Sequence, residues 1–245
     1  MADRTIDQPR SPVLIELCLL LRDFLGDRDL DTRLDDLTDD DLYRHIAFAA
    51  SLQHSGRDFT ARPTPELDHI AAAVLLRLST GSLGDTSLRS PQARYAADAT
   101  PRTVQVADGP ASPDKPVGAL WTSSFLPNGT SMWQWGELAE FGPDRQLFTV
   151  TFDPTGSRVF TINSPSDYGR LVTRYPRSSD GRAQVCWTRA AEDLDAVHLT
   201  VPGLLTAHHV PVETPHGTAT LTGWDAESTA WLHLPPHLRT TPTTR

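Results

Sequence analysis

Two carboxylates near the end of the 245-residue chain, Asp225 and Glu227, are the first residues whose spacing suggests chemistry. Gly223 permits a tight turn just before them, and the β-branched and aromatic segment Ser228–Leu232 predicts the strand that follows. Tryptophans flank the glutamate on both sides, so partial removal from water would sharpen its hydrogen bonding. A solvent-exposed carboxylate at the end of a strand is the ordinary alternative for such a residue.

A run of short hydroxyl side chains is the second group that could do chemistry. Three residues at the end of a short predicted strand carry these hydroxyls: Thr122, Ser123 and Ser124. Short side chains let the backbone approach a ligand closely, and each hydroxyl both donates and accepts hydrogen bonds. Trp121 lies within the strand and Trp133 soon after it, and their rings offer a stacking face for a planar ligand. Core packing is the common alternative for tryptophans, and hydroxyls are frequent at strand ends.

The composition argues against several classes of function. A net charge of −9 disfavours a general phosphate-binding surface, because unspecific nucleic-acid binding needs clustered lysines and arginines. The two cysteines are too few for a disulfide framework and have no metal-ligand spacing around them. The histidines lack a third ligand at metal spacing, and the chain contains neither a Gly-rich phosphate loop nor a nucleophile elbow.

Targeting signals are also missing from the sequence. The N-terminus lacks the basic-then-apolar layout of a secretion signal. The longest apolar run, Val13–Leu25, carries charged side chains and is too short to span a bilayer. We therefore expect a cytoplasmic protein that does not use a membrane as a partner.

Hydrophobic periodicity divides the chain into a helical part and a strand-rich part. Three amphipathic helices are predicted before residue 80, at about 12–25, 38–56 and 66–78. From about residue 103 short strands predominate, beginning with Thr103–Ala107. We predict an α+β protein with four segments: a flexible leader at 1–11, a helical N-terminal domain at 12–98, a strand-rich domain at 99–236 and a disordered tail at 237–245.

Taken together, the hydroxyl strand Leu120–Ser124, the turn Asp225–Glu227 and the strands between them resemble the ADP-ribosyltransferase superfamily. The step from strand to helix at Val159–Asp167 also resembles small bacterial, toxin-like proteins of this kind. The resemblance covers residues 99–236. It implies a split mixed β-sheet in which a Ser-Thr-Ser-like strand and a catalytic glutamate line a pocket for NAD.

The resemblance assigns a role to each candidate residue. Glu227 would be the catalytic carboxylate that faces the positive charge developing on the ribose when nicotinamide leaves. Asp225 would orient or deprotonate the acceptor. The hydroxyls of Thr122, Ser123 and Ser124 would contact the nicotinamide ribose, and Trp121 and Trp133 would stack on the nicotinamide. NAD would serve as the substrate.

The superfamily also places an arginine or histidine on the first strand of the domain, where it binds the dinucleotide. In the predicted first strand, Thr103–Ala107, the central polar residue is Gln105, and Arg102 directly precedes the strand. Both are candidate NAD-binding residues, and Arg94 is a second basic side chain within reach. This departure from the expected pattern bears directly on whether the pocket is catalytic.

Three functions are compatible with these observations. The first is transfer of ADP-ribose to a macromolecular acceptor, for which the negative charge favours a protein over a nucleic acid; water as acceptor would give NAD hydrolysis. The second is a non-catalytic NAD-binding or protein-interaction module with the same fold. The third is a hydrolase of a nucleoside or sugar that uses Asp225 and Glu227 as its acid and base.

Overall fold

Helices occupy the first third of the chain, and a mixed seven-stranded sheet is built from the remainder. The computed structural model describes residues 11–25, 34–52, 64–109, 114–136, 145–179 and 181–243. The α+β class predicted from the sequence is confirmed. Residues 1–10 of the expected leader lie outside the described residues. No helix in the described part of the chain has the length and apolar character needed to cross a membrane.

The N-terminal helices are α1 (Pro12–Leu25), α2 (Asp39–Ser51) and α3 (Pro65–Thr80). Hydroxyl side chains cap two of them: Thr38 accepts a hydrogen bond from the Asp41 amide, and Thr64 accepts one from the Leu67 amide. Three acidic residues in the first turn of α2 match the positive end of its dipole. All three predicted helices are confirmed. The last predicted turn of the second helix falls within residues 53–63, outside the described part of the chain.

The sheet has the strand order β13-β5-β1-β4-β12-β9-β6. Its strands are β1 (Gln92–Ala96), β4 (Leu120–Ser124), β5 (Gln146–Thr151), β6 (Val159–Ile162), β9 (Ala196–Leu199), β12 (Ser228–Trp231) and β13 (Arg239–Pro242). Neighbouring strands are antiparallel except β6 and β9, which are parallel.

Strand β4 lies at the junction between the two halves of this sheet. Its first residues, Leu120–Thr122, pair with β12, whereas Ser123 and Ser124 pair with β1 on the other side. The ladder to β12 has its last registered pair at Thr122 and Thr229, so the end of β4 is open on that side. The residue that precedes β12 in the chain is Glu227.

Shorter elements complete the described fold. They are the helices α4 (Pro165–Arg174), α5 (Trp187–Asp193) and α6 (Val201–Ala207), a 3₁₀ turn at Ser82–Gly84, and three two-stranded ribbons. The ribbons pair β2 (Ala107–Asp108) with β3 (Pro116–Val117), β7 (Pro176–Ser179) with β8 (Arg182–Val185), and β10 (Pro211–Thr214) with β11 (Gly217–Thr220).

The sheet contributes to two hydrophobic clusters of unequal size. The larger one joins the N-terminal helices to the sheet through residues such as Leu17, Ile46, Val197 and Ala230. The smaller one contains Leu120, Val150, Phe152, Ala196 and Trp231. Because the larger cluster includes residues of all three N-terminal helices, these helices share their core with the strand-rich part.

Two predictions at the ends of the strand-rich part are wrong. The strand expected at Thr103–Ala107 is absent up to residue 106, and the first strand of the sheet is β1, whose Gln92 and Ala93 are completely buried. The tail at 237–245, expected to be disordered, contains β13, which pairs with the edge of β5. Its β-branched threonines suit an edge strand, and composition alone gave no sign of the partner.

Candidate functional site

Four elements converge at one end of the sheet around Glu227. Strands β4 and β9 end there, β12 begins there, and the 3₁₀ turn that follows α3 packs nearby. A cavity of about 220 Å³ lies among them. The residues lining it include Leu83, Arg89, Ser124, Met132, His198 and Glu227. The helical part and the sheet therefore share this cavity.

The Glu227 carboxylate is held by three donors from the end of β4. One oxygen, Oε2, accepts from the Ser123 hydroxyl at 3.1 Å and from the Ser124 amide at 2.8 Å. The other, Oε1, accepts from the Ser124 hydroxyl at 2.7 Å. The side chain is only 3% exposed, so these bonds replace most of its water. The Ser124 amide lies beyond the last ladder pair to β12, and the carboxylate accepts from it instead.

The backbone of Glu227 is fixed from two further directions. Its amide donates to the hydroxyl of Tyr43, a fully buried residue of α2, at 3.3 Å. Its carbonyl accepts from the Trp133 indole at 3.0 Å, and the same indole contacts the Ser228 hydroxyl. Burial, reinforced by the negative charge of Glu227, raises the pKa of Tyr43 far above its usual range. Tyr43 is therefore a neutral phenol whose oxygen accepts the hydrogen bond from the Glu227 amide.

A histidine completes the buried polar group. His198 of β9 is 2% exposed, and its Nδ1 lies 3.7 Å from Glu227 Oε1 and 2.9 Å from the Thr229 hydroxyl. Burial lowers the pKa of His198, and the charge of Glu227 acts in the opposite direction. Because desolvation is the larger cause, the imidazole is neutral at neutral pH.

Behind the histidine, a chain of buried polar side chains crosses the middle of the sheet. Thr229 also accepts from the Gln92 amide at 3.0 Å, and the Gln92 carbonyl accepts from the Thr122 hydroxyl. Thr122 in turn accepts from the Trp231 indole at 3.0 Å. Every one of these residues is fully buried. Because each of these side chains is hydrogen-bonded to the next, the chain rigidifies the strands behind the cavity.

Of the predicted site residues, the structure brings Glu227, Ser123, Ser124 and Trp133 together. Thr122 lies on the same strand but belongs to the buried chain and does not line the cavity. Trp121 makes an edge-to-face contact with Trp224 at 4.8 Å between ring centres, as expected for a packing residue.

Asp225, predicted to act with Glu227, also lies apart from the cavity lining. Its carboxylate forms an ion pair with Lys115 at 3.7 Å. Arg102 and Gln105 are exposed and do not line the cavity either. Arg94 lies on β1, and its guanidinium donates to the Asp98 carbonyl at 2.9 Å. These predictions depended on the wrong first strand, which displaced the expected dinucleotide-binding position by about ten residues.

Four residues of the site were missed by sequence reasoning: Tyr43, Arg89, Gln92 and His198. Arg89 lines the cavity and is paired with Asp85, four residues earlier in the chain. His198 and Gln92 carried a recognisable signal, since each is a polar residue within a short buried strand. Such residues are rare without a polar partner. Tyr43 had no such signal, because its position depends on how α2 packs.

Comparisons with known family models, with curated proteins and with solved structures found no match for this chain. Within the described ranges, no group of three or more histidine, cysteine or acidic side chains is arranged to hold a metal ion. The interpretation of the site therefore depends on its own geometry.

Proposed function

We propose that this chain cleaves the bond between nicotinamide and ribose in NAD and transfers the glycosyl group that remains. The observation that carries the proposal is the Glu227 carboxylate, fixed by Ser123 and Ser124 at the wall of a cavity. More specifically, the proposed activity is mono-ADP-ribosylation of a macromolecular acceptor. The division of the sheet at β4 is a further point of similarity to the split sheet of the ADP-ribosyltransferase superfamily.

The chemistry explains why a buried, oriented carboxylate suits this reaction. When the glycosidic bond breaks, its electron pair moves to the nicotinamide nitrogen, which becomes neutral, and the ribose gains oxocarbenium character. A fixed anion next to that ribose stabilises the transition state more than the ground state. The acceptor then attacks the anomeric carbon, and its proton passes to solvent water. Three donors keep Glu227 in place, so little reorganisation is needed as the charge develops.

The dimensions of the cavity indicate which part of NAD it would enclose. Its volume of about 220 Å³ is below the range of roughly 300–1,000 Å³ that is usual for sites enclosing a whole drug-sized ligand. We infer that it takes the nicotinamide and its ribose, while the pyrophosphate lies outside the enclosed space. Arg89, which is exposed and lines the cavity, is the cation we assign to the pyrophosphate.

The alternatives fare differently against the geometry. A hydrolase with Asp225 and Glu227 as a catalytic pair loses support, because Asp225 pairs with Lys115 and does not line the cavity. The net charge of −9 continues to favour a protein acceptor over a nucleic acid. A non-catalytic NAD-binding module would use the same cavity, and a measurement of activity distinguishes it from an enzyme.

The decisive experiment measures nicotinamide release from NAD by the purified protein, with and without a cell extract as the source of acceptor. Glu227→Gln removes the charge and keeps the shape, and Glu192→Gln changes an exposed glutamate that does not line the cavity as the matched control. We expect release by the wild type and Glu192→Gln, and a loss of about 10²–10³-fold in Glu227→Gln.

The extract distinguishes the acceptors. Release that requires extract, with label from NAD appearing in a macromolecule, identifies transfer; release in buffer alone identifies hydrolysis. If folded wild-type protein binds NAD but releases no nicotinamide under either condition, the proposal is wrong and a binding module is the better account.

A further inference from the structure

The buried side chains behind Glu227 form a hydrogen-bond chain with a defined direction. It begins at Trp231, whose indole nitrogen can only donate, and it donates to Thr122. The Thr122 proton then goes to the Gln92 carbonyl, and the Gln92 amide donates to Thr229. Each member accepts from the one before and donates to the next, and the Gln92 amide sets this direction because its oxygen only accepts and its nitrogen only donates.

The chain ends on His198. Thr229 already accepts from Gln92, so its own hydroxyl proton is available to His198 Nδ1, 2.9 Å away. When Nδ1 accepts from Thr229, the proton of the neutral ring is on Nε2, and this is the tautomer that we expect. The same Nδ1 lies 3.7 Å from Glu227 Oε1. The chain therefore ends at a ring nitrogen of His198 that lies beside Glu227.

Among the described residues, few charged or titratable groups lie near His198. Glu227 approaches from the start of β12, and Tyr43 of α2 contacts the Glu227 amide as a neutral phenol. Asp85 and Arg89 line the same cavity and are paired with each other. Glu227 is the group closest to the ring, and it is the one whose charge a protonated His198 would neutralise.

We propose that His198 is a positioning residue that controls whether the charge of Glu227 can act in the reaction. While the imidazole is neutral, the Glu227 carboxylate has no ion-pair partner in the ring. Protonation of the ring pairs the two side chains and withdraws the carboxylate from the reaction. The proposal concerns the regulation of the cavity and rests on the function proposed above. It gives the enzyme an acid limit that is set by the ring beside Glu227. Burial, which lowers the pKa of His198, keeps the ring neutral at neutral pH.

The first test compares the pH dependence of kcat/KM for nicotinamide release in the wild type, His198→Gln and His216→Gln. Glutamine keeps an acceptor for Thr229 but does not titrate, and His216 is exposed on the hairpin between β10 and β11. We expect kcat/KM of the wild type and His216→Gln to fall about tenfold per pH unit below the His198 pKa. In His198→Gln this fall should be absent until a lower pH. An acid limb of the same midpoint in all three proteins would overturn the proposal.

The second test does not depend on activity, so it separates failure of this proposal from failure of the proposed function. Nitrogen-15 NMR of histidine-labelled protein reports the tautomer and the titration of His198. We expect the neutral ring to carry its proton on Nε2, and its pKa to fall further in Glu227→Gln, which lacks the carboxylate charge. A proton on Nδ1 of the neutral ring, or a midpoint that is the same in wild type and Glu227→Gln, would show that the two side chains are not coupled as proposed.

Discussion

Two buried carboxylates, Glu227 and Asp114, have similar surroundings and very different positions in the fold. Asp114 is 5% exposed and accepts from the hydroxyls of Tyr168 and Thr222. Its backbone carbonyl accepts from the Trp224 indole at 2.8 Å. Glu227 is equally buried and also accepts from hydroxyls, yet it lines the cavity and Asp114 does not. A buried, hydrogen-bonded carboxylate is therefore not by itself a sign of catalysis.

The difference lies in what each carboxylate connects. Asp114 joins α4, through Tyr168, to the segment that precedes β12, through Thr222, and burial raises its pKa despite these donors. Its contacts are with packing elements and contribute to stability. The Glu227 carboxylate accepts hydrogen bonds from Ser123 and Ser124 at the end of β4, and it lines the cavity. We expect mutations at the two positions to separate activity from stability.

The largest effect is expected for Glu227→Gln, measured as kcat/KM for nicotinamide release and as the free energy of unfolding in urea. The loss of a fixed anion should lower kcat/KM by about 10²–10³-fold, whereas unfolding should change by about 1 kcal/mol. A variant that is strongly destabilised and, once folded, retains full activity would reverse the roles assigned to the two carboxylates.

Asp114→Ala tests the other side of the comparison. It leaves the buried Tyr168 hydroxyl and the Thr222 hydroxyl without their acceptor, which should cost about 2–4 kcal/mol of unfolding free energy. The kcat/KM per folded molecule should stay within about threefold of wild type, because no contact to the cavity is removed. A folded Asp114→Ala protein without activity would place Asp114 in the functional machinery.

Arg89→Gln sharpens the assignment of the substrate to the cavity. An exposed arginine that meets a pyrophosphate contributes about 1 kcal/mol, so KM for NAD should rise about fivefold with kcat little changed. Arg102→Gln is the matched control and should leave KM unchanged. An equal rise in both variants would indicate a general effect of charge and remove Arg89 from the site.

Tyr43→Phe tests the contribution of the helical part to the site. The Glu227 amide loses the acceptor that α2 provides, which should cost about 1 kcal/mol of unfolding free energy and a few-fold in kcat. Tyr95→Phe changes a tyrosine of β1 that is not among the residues lining the cavity and serves as the comparison. If Tyr43→Phe behaves as this control does, the helices contribute packing only.

Local sequence signals predicted where helices and strands form better than they predicted which strands pair with each other. Thr38, Thr64 and Ser164 each cap a helix by accepting from the amide three positions later, and such a signal lies within one short segment. Strand β13 was missed because its pairing with β5 is not encoded within its own few residues. The same limit displaced the first strand from Gln92–Ala96 to Thr103–Ala107.

The candidate site was predictable in proportion to its local character. Glu227 and Ser123–Ser124 were found because a turn, a strand and a hydroxyl run can be recognised one segment at a time. Tyr43 and His198 reach Glu227 from α2 and β9, and their roles depend on contacts across more than a hundred and about thirty residues, respectively. The position of Asp225 also depends on a long-range contact, because its carboxylate pairs with Lys115 and does not join Glu227 at the cavity. Long-range contacts decided which polar residues share the cavity.

The smallest expected effect concerns how the free energy of unfolding depends on pH, because Asp114 and Asp193 should contribute slopes of opposite sign. Because burial raises the pKa of Asp114, this group stabilises the fold fully below its ordinary pKa of about 3.9, and the contribution is lost as the pH rises through the raised value. The amide introduced by Asp114→Asn would imitate the protonated form at every pH. The unfolding free energy of the wild type should therefore fall relative to that of Asp114→Asn as the pH rises from about 4 to 7.

Asp193 provides the opposite case, because hydrogen bonds from Tyr175 and Arg174 lower its pKa. Its contribution is present above the ordinary pKa and is lost as the pH falls, so the difference between wild type and Asp193→Asn should grow over the same range. Urea unfolding at several pH values measures both differences, and titration of His198 cancels because it is common to every protein in the series. Slopes of the same sign would mean that Asp114 is stabilised as an anion in the fold. It would then resemble Glu227 in charge as well as in burial, leaving the cavity as the one feature that separates them.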